Sequence, residues 1–149
     1  MISRQTVQIS RRSLAAMAVA VSVSAAVLTG CGGSDDTPSP RQADETSIRM
    51  VLNELQEASI AGDGTRICTQ IFTPKLANSV TKSARSGSCA KEVRKNLFSP
   101  TTRFTVQHMN VNNDANATAI VKEASNNHTS TIFFVRQSGR WRIRSIQPA

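Results

Sequence analysis

Phe133-Phe134-Val135-Arg136-Gln137-Ser138-Gly139-Arg140-Trp141-Arg142-Ile143 places two runs of aromatic, β-branched and arginine residues on either side of a Ser-Gly pair. Strand-forming runs around so short a loop read as an antiparallel hairpin, because glycine adopts the positive φ that a two-residue turn requires. Working outward, the period-2 pattern continues back to Pro100 and predicts four strands, near 103–111, 117–124, 129–137 and 140–147. Turn residues fall at 112–116, 125–127 and 138–139. Connections this short make an antiparallel meander, and a meander must bury one face under other elements.

Upstream of Pro100 the period becomes 3.6. Ile48, Val51, Leu52, Leu55 and Ala58 or Ser59 recur at helical spacing, while Arg49, Asn53, Glu54, Gln56 and Glu57 take the other face. Asp44 is expected to cap this helix, Glu45 to pair with Arg49, and Gly62 to end it in a left-handed conformation. Asp63 then caps a short helix with Ile67, Cys68, Ile71 and Phe72 on one face. Thr73-Pro74 starts a third, with Leu76, Ala77, Val80 and Ala84 as its buried stripe. A fourth pattern, Cys89, Val93 and Leu97, points Cys89 inward like Cys68.

Helices followed by strands over 44–147, closed by a glycine-turn hairpin with a tryptophan, resemble the nuclear transport factor 2-like superfamily. The resemblance implies an α+β fold with N-terminal helices packed on a curved four-stranded antiparallel sheet, often leaving a conical pocket. Within it, the chain looks most like exported lipoproteins in which two cysteines bracket the middle helices. The same cone serves enzymes and plain binding modules, so the resemblance implies no activity.

Residues 1–30 carry Arg4, Arg11 and Arg12 without an acid, then an uncharged stretch over 13–29, the pattern of a signal peptide. The stretch ends in Thr29-Gly30 with no basic stop-transfer flank, which favours cleavage over a permanent span. Leu28-Thr29-Gly30-Cys31 resembles the bacterial lipobox, which implies a diacylglyceryl group on Cys31, cleavage before it, and anchorage on the outer face of the cytoplasmic membrane or another envelope membrane. Two acyl chains hold stably where one is marginal. Ser10-Arg11-Arg12-Ser13-Leu14 resembles the twin-arginine signal, and adjacent arginines also occur in ordinary secretory leaders, so both export routes stay open. Residues 31–43, from the lipidated cysteine through a Gly, Ser, Asp, Thr and Pro run, read as a flexible tether holding the domain, 44–149, about 20 Å from the lipid.

Losing 1–30 removes three arginines and lowers the net charge from +8 to +5, which weakens a nucleic-acid reading; no aromatic platform accompanies the cations. With Cys31 lipidated, the three cysteines leave Cys68 and Cys89, expected to pair in an oxidising compartment. Closing the 20 residues between them would stabilise the fold by roughly 3 kcal/mol.

Chemistry is sparse. The chain has no tyrosine, so it lacks the phenolic oxyanion donor of the superfamily's ketosteroid-isomerase type. Asp63 and Asp114 sit where caps and turns need them. Glu123 is expected to face solvent. His108, mid-strand, is the candidate base, were it to face a pocket beside Glu123; His128 adjoins a turn. Two isolated histidines and paired cysteines do not make a metal site, and nothing implies a cofactor. Lys82, Arg85, Lys91, Arg94 and Lys95 cluster around Glu92, and Arg140, Arg142 and Arg144 alternate along the last strand, expected on one sheet face. A solvated face accounts for them; anionic lipid or an envelope polymer is the functional alternative. The expected function is a non-enzymatic binding or assembly module of the cell envelope with a ligand, polymer or protein partner. The alternative is an isomerase- or cyclase-like enzyme.

Overall fold

The computed structural model describes residues 38–124 and 126–149. Cys31 and its lipobox, the signal peptide, most of the tether and Ser125 lie outside the described residues.

The domain is α+β: helices α1 (Pro40–Ile60), α2 (Gly64–Arg66), α3 (Pro74–Ser83) and α4 (Cys89–Glu92) precede strands β1 (Phe104–Asn113), β2 (Asn116–Glu123), β3 (Thr129–Gln137) and β4 (Arg140–Pro148). Helices α2 and α4 each run on into a π-helical turn, Ile67–Ile71 and Val93–Leu97. The strands form one antiparallel sheet in the order β1-β2-β3-β4.

Helix α1 starts earlier than its apolar stripe suggests. Ser39 caps it by accepting from the Gln42 backbone N–H, the Gln42 side chain returns the bond, and Pro40 occupies the first turn. Pro40 to Ala43, tether by composition, are therefore helical, and Asp44 is not the cap. Glu45 pairs one turn back, with Arg41 at 3.5 Å, instead of forward with Arg49. The other end follows expectation. Gly62 sits at φ 65°, and Gly62 N–H to Ser59 and Asp63 N–H to Ala58 close a Schellman motif.

Ile48, Leu52, Leu55 and Ala58 on α1 are buried against Ala117, Ala119, Val121, Ile132, Phe134 and Ile143 of the sheet. Each large aliphatic buried this way stabilises by roughly 1.5–3 kcal/mol. Gln56 Oε1 accepts from the Phe104 backbone N–H at 3.0 Å, fixing the start of β1 on α1. The free edge of β4 is partly covered by Phe72, which bridges Ile143, and by the Thr73 N–H, which donates to the Ile143 carbonyl at 2.8 Å.

Besides a register shift between Val111 and Asn113 at the end of β1, two β-bulges reset which side chains face inward. In β1 the pairs Val106↔Val121 and His108↔Ile120 leave Gln107 as an extra residue. Phe104 and Val106 pack on the core before it, Met109 and Val111 after it. In β4 the pairs Phe134↔Ile143 and Phe133↔Ser145 leave Arg144 as the extra residue, which brings Ile146 onto the core after Trp141 and Ile143. The Ser138-Gly139 turn has positive φ at both residues, 50° and 76°, as the hairpin reading requires.

Candidate functional site

At the end of the sheet where β2 and β4 finish, the core does not close. A cleft of about 280 Å³ opens between the sheet and the middle helices. One wall is Phe72, Leu76 and Val80; the facing wall is Leu97 and Phe98; Val121, Ile132 and Ile146 form the floor. Phe98 packs edge-on against Phe104, ring centroids 6.0 Å apart, and so fixes a corner of the site. The cleft explains a departure from the sequence reading of α3. Its stripe Leu76, Ala77 and Val80 is half-buried, with full burial reserved for Ala84 just past the helix, because the stripe faces a gap.

The polar rim is Glu123, His128 and Ser130. Glu123 follows Ala117, Ala119 and Val121 at period 2, so it belongs to the inner face and is half-buried at the cleft, where solvent exposure was expected. Its Oε1 accepts from the buried Thr102 hydroxyl at 3.2 Å and its Oε2 from Asn126 Nδ2 at 2.9 Å. Asn126 Oδ1 accepts in turn from the His128 backbone N–H at 2.9 Å. One asparagine thus ties the carboxylate to the chain that carries the imidazole.

His108 does not reach this site. The extra residue Gln107 inverts the alternation, so His108 is exposed opposite Ile120 and no longer follows Phe104 and Val106 inward. A base at His108 beside Glu123 is therefore excluded by register. Phe133 is outside the core, on the face where the Arg144 guanidinium lies over its ring at 5.8 Å, while Phe134 and Trp141 are buried within the core.

The three arginines of β4 do not act as one stripe. Arg140 is exposed beside the turn. Arg142 donates to the Thr69 and Phe72 carbonyls at 2.9 and 3.1 Å, satisfying acceptors at the end of the first π-helical turn, where a cation is favoured. Arg144 sits in the bulge.

Cys68 and Cys89 form a disulfide, Cα atoms 6.2 Å apart. The loop it closes contains α3, the cleft wall that owns no fully buried residue, so this bond adds to the partial packing of Leu76, Ala77 and Val80 on the core. Gly64 assists: a Cβ there would stand 2.1 Å from the Ala90 carbonyl oxygen, so glycine alone lets α2 and α4 meet this closely.

Among the described residues no helix is long and apolar enough to cross a membrane, and no three His, Cys, Asp or Glu side chains gather at metal-binding distance. Compared with protein-family models, curated proteins and solved structures, the chain matches none of them.

Proposed function

We propose that this chain is an exported lipoprotein, held on an envelope membrane by a diacylglyceryl group on Cys31, whose nuclear transport factor 2-like domain is a non-enzymatic module that binds a small amphipathic molecule. The observation that carries the binding function is the apolar cleft under α3 with a polar rim at one side, the composition typical of ligand sites, with a volume just below their usual range. The carboxylate of Glu123 at that rim favours a ligand whose polar end donates hydrogen bonds or carries positive charge.

The alternative, an isomerase or cyclase of the same superfamily, draws on Glu123 and His128. Against it stands the use of both Glu123 oxygens as acceptors from Thr102 and Asn126, bonds that hold the carboxylate in place and compete with proton abstraction.

The test is equilibrium binding of a solvatochromic probe, an apolar body with a primary amine head, to the unlipidated Cys31→Ala chain. Saturable binding at one site is expected, weakened at least tenfold by Ile146→Trp, which fills the floor of the cleft. Equal affinity in the parent and Ile146→Trp chains would remove the cleft as the site.

A further inference from the structure

A second concavity lies away from the cleft, where the end of α3 turns back onto α4. It is lined by Arg85, Lys91, Arg94 and Lys95 with Asn96 and Glu92, around a volume of about 780 Å³. Glu92 accepts from Asn96 at 2.8 Å. The ion pairs among the described residues are Arg41–Glu45, Arg66–Glu57 and Arg136–Asp44, so none of the four groove cations has a carboxylate within ion-pair distance, and Glu92 is the one acid in the lining. All four are exposed.

Like charges crowded on one groove repel, and a merely solvated surface has no need to fix them. Here the frame is braced. The disulfide joins the π-helical turn after α2 to the first residue of α4, Gly64 packs on Ala90, and Gly87 at φ 61° makes the turn between α3 and α4. The cations are therefore carried on backbone that is ordered before any ligand arrives, which reduces the entropy lost on binding.

We propose that this groove binds a linear polyanion, a polymer with a phosphate on each repeat. Two arginines supply the planar forks that chelate phosphate oxygens, and two lysines supply point charges beside them.

The shape of the site selects a polymer over a lipid head group. The groove lies at the pole of the domain opposite the Ser39 cap where the described chain enters α1: that helix has 21 residues, a span of about 31 Å, and at its far end a methyl group on Gly62 would stand 3.6 Å from Arg94 Cδ. Four cations line one concavity, so a strand with a phosphate on each repeat engages several of them at once, where a single head group offers one phosphate.

The experiment titrates the full chain, in neutral detergent, with linear inorganic polyphosphate, and in parallel with phosphatidylcholine vesicles with and without phosphatidylglycerol. The expected result is saturable polyphosphate binding whose dissociation constant rises at least about tenfold between 50 and 200 mM salt. Lys91→Glu/Arg94→Glu should raise it a further tenfold or more with the thermal midpoint preserved, while Arg140→Glu/Arg144→Glu changes it less than twofold. Equal losses from the two variants would mean diffuse charge attraction and overturn the proposal. Tighter binding to phosphatidylglycerol vesicles than to polyphosphate, abolished by Lys91→Glu/Arg94→Glu, would assign the groove to lipid and overturn it as well. Failure of the anchor reads out separately: a chain that is never lipidated still binds polyphosphate through these residues, and Ile146→Trp leaves that binding intact.

Discussion

Asp44, early in α1, ion-pairs with Arg136 near the end of β3, 92 residues further along the chain. The Arg136 guanidinium also lies 4.7 Å from the centroid of the Trp141 ring, and Trp141 Nε1 donates to the same Asp44 oxygen at 3.4 Å. The Asp44 side chain is 14% exposed, so this charge is mostly removed from water and depends on its partners. Together the three residues clamp the start of α1 onto the terminal hairpin.

Asp44→Asn keeps the shape of the side chain and removes the charge. We expect it to lower stability by about 2 kcal/mol, the scale of a charge-assisted hydrogen bond that is partly solvated. Urea unfolding followed by the fluorescence of Trp141, the single tryptophan, measures it directly. An unchanged midpoint would show that the pair contributes nothing net.

Gly64 and Gly87 should respond to alanine for different reasons. At Gly64 the new Cβ meets backbone at 2.1 Å, and the helices must part, at a cost of about 2 kcal/mol or more. At Gly87 nothing lies within 4 Å, and the cost is the left-handed backbone alone, about 1 kcal/mol. Thermal unfolding of the two variants should rank them in that order.

Removing the disulfide with Cys68→Ser/Cys89→Ser is expected to cost roughly 3 kcal/mol. Because α3 is the wall it secures, amine-probe binding in the cleft should fall even under conditions where the mutant remains folded by circular dichroism. Retained probe affinity in a folded double mutant would show that α3 holds its place without the bond.

His108→Ala should leave probe binding within twofold, since the bulge at Gln107 turns that side chain to solvent. Glu123→Gln should instead weaken an amine-headed probe about tenfold, or about 1.4 kcal/mol, relative to a neutral probe of the same body. Equal effects on both probes would indicate that Glu123 supports the rim without touching the ligand's head.

Cys31→Ala is expected to move the protein from the membrane fraction to the soluble fraction and to abolish incorporation of labelled fatty acid. Persistence in the membrane fraction would show that the 13–29 stretch stays as an anchor.

Much of this molecule was legible one element at a time. Caps and turns are short-range events: Asp63 and Thr73 accept from backbone N–H groups three residues on, and the Ser138-Gly139 turn takes the φ values its two residues allow. The cysteine pair was also within reach, because compartment and count suggested it before any distance was known. One misreading was avoidable. Glu123 continues the Ala117, Ala119, Val121 alternation, and period 2 alone placed it inward. The start of α1 was a weaker signal, since the Ser39-Pro40 cap precedes any apolar residue and sits in a run whose composition reads as linker.

By itself, then, the sequence determined what depends on neighbours a few residues apart: helices before strands, the caps of α2 and α3, the hairpin turns and the meander order. Tertiary structure decided whatever required two distant segments to meet. A bulge is invisible in a β-branched run because either register keeps the strand intact, yet one extra residue at Gln107 turned His108 away from the interior. The same holds for Asp44, which binds an arginine 92 residues away instead of its own helix end. It holds for the cleft itself, a volume left by the packing of α3, Phe98 and the sheet that no single segment encodes.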